Sequence, residues 1–203
     1  MGILIAVEGI DGSGKTTIAN HLKNYLSSFG YDCVILKEPS DSIYGKRIKS
    51  LNSRISPEEE LELFILDREI DVRERILPAL REGKVVIMDR YYYSNIAYQS
   101  ARGLNALEIK KRNERIAPKP DLVILLDLSP ETAISRLKSR EKLSVFEQKE
   151  YLAEVRKRFL ELVDDVTFVI NAEKDVEEVK RDVEEVVKSF LKKSNRWCCA
   201  GNY

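Results

Sequence analysis

No stretch constrains this chain more than Gly9-Ile10-Asp11-Gly12-Ser13-Gly14-Lys15-Thr16. It satisfies G-x-x-x-x-G-K-[ST], and it stands between an apolar run, Ile3 to Val7, and a helical pattern that opens at Lys15. Glycines there let the backbone curl so that its N–H groups and the helix start face an anion. Lys15 is placed to reach the β- and γ-phosphates of a nucleotide, and the Thr16 hydroxyl to ligate Mg²⁺. The bland alternative is a glycine-rich turn that binds nothing, but a lysine aimed into such a loop has no packing reason to be there.

A loop of this kind needs a sheet behind it, and the sequence supplies one. Apolar runs with β-branched residues occur at 3–7, 32–36, 84–88, 121–127 and 166–170. Between them lie helical patterns at about 15–29, 57–81, 91–101 with 105–115, 130–163 with a break, and 175–192. Ser56 and Ser129 precede Pro57 and Pro130 as helix caps, while Gly30 and Gly83 fall where left-handed C-caps are wanted. Strands alternating with helices predict an α/β fold: a five-stranded parallel sheet with helices on both faces. The polar, basic break at about 139–146 reads as a short lid. A length of 203 residues predicts a single domain, 1–203.

Composition narrows the partners. Lys plus Arg and Asp plus Glu both number 34, so no global field holds a polyanion such as duplex DNA, and any phosphate site is local. Hydrophobic residues at 43% exclude a wholly disordered chain. Cys33 lies in an apolar run and Cys198 adjoins Cys199, which makes neither a disulfide framework nor a zinc site and fits a reducing cytoplasm. No stretch reads as a membrane span, signal peptide or acylation site, so neither nucleic acid nor membrane is expected as a partner.

Several side chains point to chemistry near the loop. Asp89 ends the apolar strand Val85-Val86-Ile87-Met88 as a Walker-B acid would, although a strand-end Asp also caps a following helix. Ligands gather at the carboxyl ends of parallel strands, so Glu8, Asp11 and Asp89 are expected in one crevice. Phe64 and Arg68, four apart on one helix, suit stacking on a base and bonding its carbonyl edge; Phe64 among Leu61, Ile65 and Leu66 equally suits a core. Tyr91, Asn95 and Tyr98 share a second helix face that begins beside Arg90. Tyr92 and Tyr93 are expected to bury their rings and keep their hydroxyls wet.

Over nearly its whole length the chain resembles the thymidylate kinases. The likeness runs through Glu8 to Thr17, Lys37-Glu38-Pro39, Leu63-Phe64-Ile65-Leu66-Asp67-Arg68, Asp89-Arg90-Tyr91, Ser94-Asn95, Ala97-Tyr98-Gln99 and Pro120-Asp121-Leu122. It implies a P-loop NTPase fold and transfer of the γ-phosphoryl of Mg-ATP to dTMP by a cytoplasmic homodimer. The alternative is a deoxynucleoside or other nucleoside monophosphate kinase of the same fold. On this resemblance Gly9, Ile10, Asp11, Gly12, Ser13, Gly14, Lys15, Thr16, Thr17 and Arg136 serve ATP, with Thr16 and Asp89 on Mg²⁺. Phe64 stacks on thymine, Arg68 meets its exocyclic oxygen and Asn95 helps hold the base. Arg90 grips the acceptor phosphate, Asp11 lies near the 3′-hydroxyl, Tyr98 crowds the 2′ position and Glu38 borders the same site.

Two departures from the family pattern leave questions. Lys37-Glu38-Pro39-Ser40-Asp41-Ser42 replaces the common bacterial Arg-Glu-Pro-Gly-Gly-Thr, so Lys37 and Arg47 both stand as the basic residue of that loop. Gly12 stands where some members carry a basic residue, which implies that the lid supplies the catalytic cation. Ser144-Val145-Phe146-Glu147 lacks the usual lid arginine, leaving Arg136, Lys138, Arg140 and Lys142. Arg136 falls within a helical pattern and lysine cannot fork onto two phosphate oxygens, so Arg140 is expected to join Lys15, Asp89 and Arg90 in catalysis. The helix at 57–81 has apolar residues on more than one face, which suits either a subunit contact or burial within one subunit. His21 is expected to be structural.

Overall fold

The computed structural model describes residues 2–138 and 149–195. Its strands are β1 (Ile3–Glu8), β2 (Cys33–Lys37), β3 (Val85–Asp89), β4 (Leu122–Asp127) and β5 (Thr167–Asn171). Each of the last four lies within a residue or two of the apolar run that predicts it. They form one parallel sheet in the order β2-β3-β1-β4-β5. Every residue of β1 and β3 is buried, which requires cover on both faces and explains why these strands read as unbroken apolar runs. The edge strand β5 leaves Phe168 and Val169 exposed.

The helices are α1 (Lys15–Ser28), α2 (Ile43–Lys49), α3 (Pro57–Asp71), α4 (Leu77–Arg81), α5 (Tyr92–Ser100), α6 (Ala106–Glu114), α7 (Pro130–Lys138), α8 (Lys149–Glu161) and α9 (Val176–Lys193). Helix α1 packs on β1, β2 and β3 and against α9, where His21 Nε2 meets Glu184 Oε1 at 2.7 Å. Helix α5 is gripped by α3, α6 and α8. Ser56 caps α3 by accepting from the Glu59 N–H at 3.2 Å, and the Glu59 carboxylate reaches back to complete a capping box. The predicted helix at 57–81 runs on through a π turn, Val72–Ile76, where the Leu77 N–H donates to the Val72 carbonyl five residues back. Pro78, with no N–H and a ring that crowds the carbonyl four residues earlier, accounts for that widening.

Helix α2 is absent from the patterns at 15–192 because its seven residues, with only Ile43 and Ile48 aliphatic, show no clear period. Ser42 Oγ caps it by accepting from the N–H groups of Tyr44 and Gly45, both at 3.1 Å. A Cβ at Gly45 would stand 2.2 Å from the Ser40 carbonyl oxygen, so only glycine lets α2 lie against the loop after β2. On α3, Leu61, Leu63 and Ile65 are buried within the chain, which is one of the two uses its apolar pattern allowed.

Parallel register sets the site. Val7 and Lys37 both pair with Asp89, so β1, β2 and β3 end at one edge and deliver Glu8, Glu38 and Arg90 together.

Candidate active site

The loop from Gly9 to Thr16 joins β1 to α1 as its motif predicts. A Cβ at Gly12, where φ is +81°, would meet the Ala133 carbonyl oxygen at 2.7 Å; bare glycine lets the loop pass against α7. Lys15 folds back into the loop, its Nζ donating to the Ile10 carbonyl at 2.6 Å and to Ser13 Oγ at 3.4 Å. Burial and the neighbouring Arg90 bring the Lys15 pKa down to about 7, against the opposing pull of Asp11, Asp89 and Glu8. An incoming polyphosphate would restore the full charge.

Thr16 Oγ1 donates to Asp89 Oδ2 at 2.6 Å, so a hydroxyl and a carboxylate converge on one point. Mg²⁺ takes oxygen ligands and commonly draws only one or two from protein, with phosphates and water completing the octahedron, so this donor set fits it. Among the described residues no three His, Cys, Asp or Glu side chains cluster as a metal site. Lys37 Nζ also reaches Asp89 Oδ2, at 3.3 Å; Lys37 and Arg47 are both exposed.

Glu8 departs from the expected crevice. It is fully buried and turns to the start of α5, accepting from the N–H groups of Tyr91 at 2.8 Å and Ser94 at 3.1 Å and from Ser94 Oγ at 2.5 Å. Its carboxylate caps a helix whose own cap residue, Tyr91, offers no side-chain bond. Between the two, Arg90 is held with φ at +73°, a strained position for a side chain with a Cβ.

Arg90 forms an ion pair with Asp11 and donates to Ser94 Oγ at 3.1 Å. Its guanidinium also lies 5.4 Å from the centre of the Tyr98 ring. The other Asp11 oxygen accepts from Tyr98 Oη at 2.8 Å. Burial would raise the Asp11 carboxyl, but Arg90, Lys15 and the Tyr98 bond outweigh it and hold it below the usual range. Beyond this trio opens a cleft enclosing about 810 Å³ of empty space, open solvent included, lined among others by Phe64, Arg68, Asn95 and Tyr98. Phe64 is half-buried and lies outside the hydrophobic core cluster, which decides against the core reading left open by its sequence.

Arg68 is 1% exposed at the cleft floor. It forms a two-pronged ion pair with Glu38, in which Nε donates to Oε1 at 3.0 Å, and Nη1 donates to Asn95 Oδ1 at 3.2 Å. Burial pushes the Glu38 carboxyl upward and Arg68 opposes the rise. Asn113, on α6, was not among the expected site residues; it is fully buried, and its amide accepts from Arg68 and donates to Asn95 Oδ1 at 3.1 Å. Its signal was available: it follows the buried Ile109 by four residues, putting an amide on the apolar face of α6.

A second cleft lies across the loop, lined by Gly12, Ser13, Gly14, Thr17, Arg136 and Lys174, with Ala172 just past β5 and Val176 and Val179 of α9. Arg136 donates there to the Ala172 carbonyl at 3.0 Å. Arg140 and the expected lid at 139–146 lie outside the described residues. Tyr92 and Tyr93 differ from expectation. Both are buried whole, at 0% and 4% exposure, and the Tyr93 hydroxyl meets Asp164 Oδ2 at 3.3 Å instead of water, because α6 and α8 close over α5.

A phosphate loop opening onto two clefts at the edge of a parallel sheet defines a P-loop phosphotransferase. A family model described as thymidylate kinase matches residues 7–183. A probable thymidylate kinase of Archaeoglobus fulgidus is 61% identical over 189 residues, covering 93% of this chain and 96% of its own. A probable thymidylate kinase of Pyrococcus abyssi is 44% identical over 201 residues, with 94% and 98% covered, and a thymidylate kinase of Xanthomonas euvesicatoria is 40% identical over 193 residues, with 94% and 85% covered. The chain belongs to the thymidylate kinase family.

Proposed function

We propose that this protein transfers the γ-phosphoryl group of Mg-ATP to the 5′-phosphate of dTMP, giving dTDP and ADP, on a single domain spanning 1–203. One observation carries the reading: the phosphate loop is shared by both clefts, with Asp11 facing one and Gly12, Ser13, Gly14 and Thr17 bordering the other. Donor and acceptor then meet across the loop. An acceptor phosphate oxygen attacks the γ-phosphorus, the bond to the bridging oxygen breaks, and ADP leaves; no general base is needed, since the attacking oxygen is already ionised.

Roles follow from placement. Lys15 and the loop N–H groups neutralise the donor phosphates, with Arg136 on the donor side. Thr16 and Asp89 would hold Mg²⁺, which when bound supplies charge to the phosphate oxygens. Arg90 holds the acceptor phosphate, Phe64 stacks on the base, and Arg68 with Asn95 reads its edge, Glu38 keeping Arg68 in place. Asp11 and Tyr98 face the sugar, and Arg140 brings the transition-state cation. The family resemblance further supports a cytoplasmic homodimer, which sedimentation equilibrium tests directly.

A nucleoside kinase would accept an uncharged nucleoside, and Arg90 in the cleft argues for an anionic acceptor. ADP formation measured over a panel of mononucleotides and nucleosides, with Lys15→Ala as the inactive reference, decides the matter. Turnover with dTMP well above all other acceptors is expected; turnover with thymidine instead, or none with any acceptor, overturns the proposal.

A further inference from the structure

The acceptor cleft contains a hydrogen-bond chain with a direction. At one end Arg102 Nη1 donates to Glu60 Oε2 at 2.6 Å, and Arg102 Nη2 donates to the Ile55 carbonyl at 2.6 Å. Gln99 Nε2 donates to the same Glu60 oxygen at 2.7 Å, and Gln99 Oε1 accepts from Asn95 Nδ2 at 2.8 Å. Asn95 Oδ1 accepts from Arg68 Nη1, and Arg68 closes the chain on Glu38. Glu60, Arg68, Asn95 and Gln99 are each at most 3% exposed, and all four line the cleft.

An amide side chain can turn over and exchange its oxygen for its nitrogen at almost no steric expense, so a pocket built on two amides does not by shape alone fix what it presents. Here the ends fix it. An ionised carboxylate only accepts and a guanidinium only donates. Glu60 therefore demands the nitrogen of Gln99. The Gln99 oxygen then faces Asn95, whose own oxygen faces Arg68. Turning Gln99 over would set oxygen against the Glu60 carboxylate and nitrogen against the Asn95 nitrogen, two repulsions at once in a buried site.

The leftover groups define a pattern. Of five N–H groups on Arg68, four are engaged within the protein, leaving one donor. Gln99 Oε1 keeps a second lone pair, an acceptor that pairs with the Arg68 donor, while Gln99 Nε2 and Asn95 Nδ2 each keep one N–H besides. A pyrimidine with a 4-keto oxygen and an N3–H presents the complementary acceptor and donor. One with a 4-amino group and a bare N3 presents the reverse.

We propose that Glu60, anchored by Arg102, is a positioning residue that fixes the polarity of Gln99 from the side opposite Asn95 and so helps the cleft choose 4-keto over 4-amino pyrimidine nucleotides. This rests on the acceptor assigned above. The decisive pair is dTMP and 5-methyl-dCMP, which differ only in that donor and acceptor pattern. In Glu60→Gln the acceptor-only anchor becomes an amide that can itself turn over, so Gln99 loses one of its two constraints and is held in its orientation by Asn95 alone. The ratio of kcat/KM for dTMP to that for 5-methyl-dCMP is expected to fall about tenfold or more, with KM for ATP unchanged. A ratio within twofold of wild type, with both substrates losing equally, overturns the proposal and makes Glu60 structural. If Glu60→Gln does not fold, Arg102→Leu, which leaves the Glu60 carboxylate unanchored, is read by the same ratio and the same limit. Wild-type protein that turns over neither nucleotide refutes the dTMP assignment itself, an outcome distinct from an unchanged ratio.

Discussion

Truncating Phe64 to alanine separates a binding surface from a packing surface. The ring is half-buried, borders the acceptor cleft and is outside the core cluster, whereas Leu61 and Ile65 on the same helix belong to that cluster. A base stacked on an aromatic ring is worth about 1–3 kcal/mol, so KM for dTMP should rise roughly 5- to 150-fold. A core phenylalanine would instead take about 3–5 kcal/mol from stability, which for a chain of this size lowers Tm by roughly 6–20 °C. Coupled-assay kinetics with each substrate varied, together with thermal unfolding followed by circular dichroism, read both quantities. Phe64→Ala is expected to raise KM for dTMP within that range, leave KM for ATP near wild type and lower Tm by less than about 4 °C. A large loss of Tm with equal changes in both KM values would show the ring to be core and refute the argument.

Three further tests concern the phosphate and sugar groups. Because burial depresses the Lys15 pKa to about 7, the unfolded chain binds the extra proton between about 7 and the ordinary value of 10.5. Stability of the free enzyme should therefore rise with pH across that window. Lys15→Met, which abolishes transfer, should raise Tm more at pH 6.5 than at pH 10; an equal gain at both would contradict a buried, depressed lysine. Tyr98→Ala should narrow the preference for dTMP over its ribose analogue roughly tenfold, and an unchanged ratio of kcat/KM removes Tyr98 from sugar selection. Arg140→Ala should lower kcat by about 10³ with little change in KM, and a kcat within a few-fold of wild type would pass the role to Arg136 or a lysine.

Much of this architecture was legible because its strands are short apolar runs set off by charge, a pattern that survives without tertiary context. Loop, sheet and most helices follow from it. Helix α2 escaped because its stability comes from Ser42 and from Gly45 packing on Ser40, neither of which leaves a period. The π turn escaped because Pro78 reads in sequence as a break, and only the Leu77 bond reveals a helix that widens to pass it. Site residues on the phosphate loop carry their spacing with them. Glu60 does not: it sits third in Glu58-Glu59-Glu60, an acidic first turn that the helix dipole alone would justify, and only its phase with Phe64 and Arg68 sets it apart. Glu8 misled for the opposite reason, since a strand-end acid looks like a ligand until the start of α5 claims it.

The pairing of Arg90 with Asp11 gives the guanidinium an anionic partner from within the chain. A guanidinium left bare there would collect any small anion, inorganic phosphate included. Asp11 acts as a tethered placeholder, so an anion enters only by exchange, and an exchange favours a visitor with something further to offer. Inorganic phosphate has only its charge to bring, whereas on the proposed assignment a nucleotide would add a base for Phe64 and a sugar for the Tyr98 corner. On the same assignment the Asp11 oxygen released from Arg90 would be free for the sugar's own hydroxyl. With the proposed roles, such self-pairing would sacrifice raw affinity for phosphate and favour whole nucleotides.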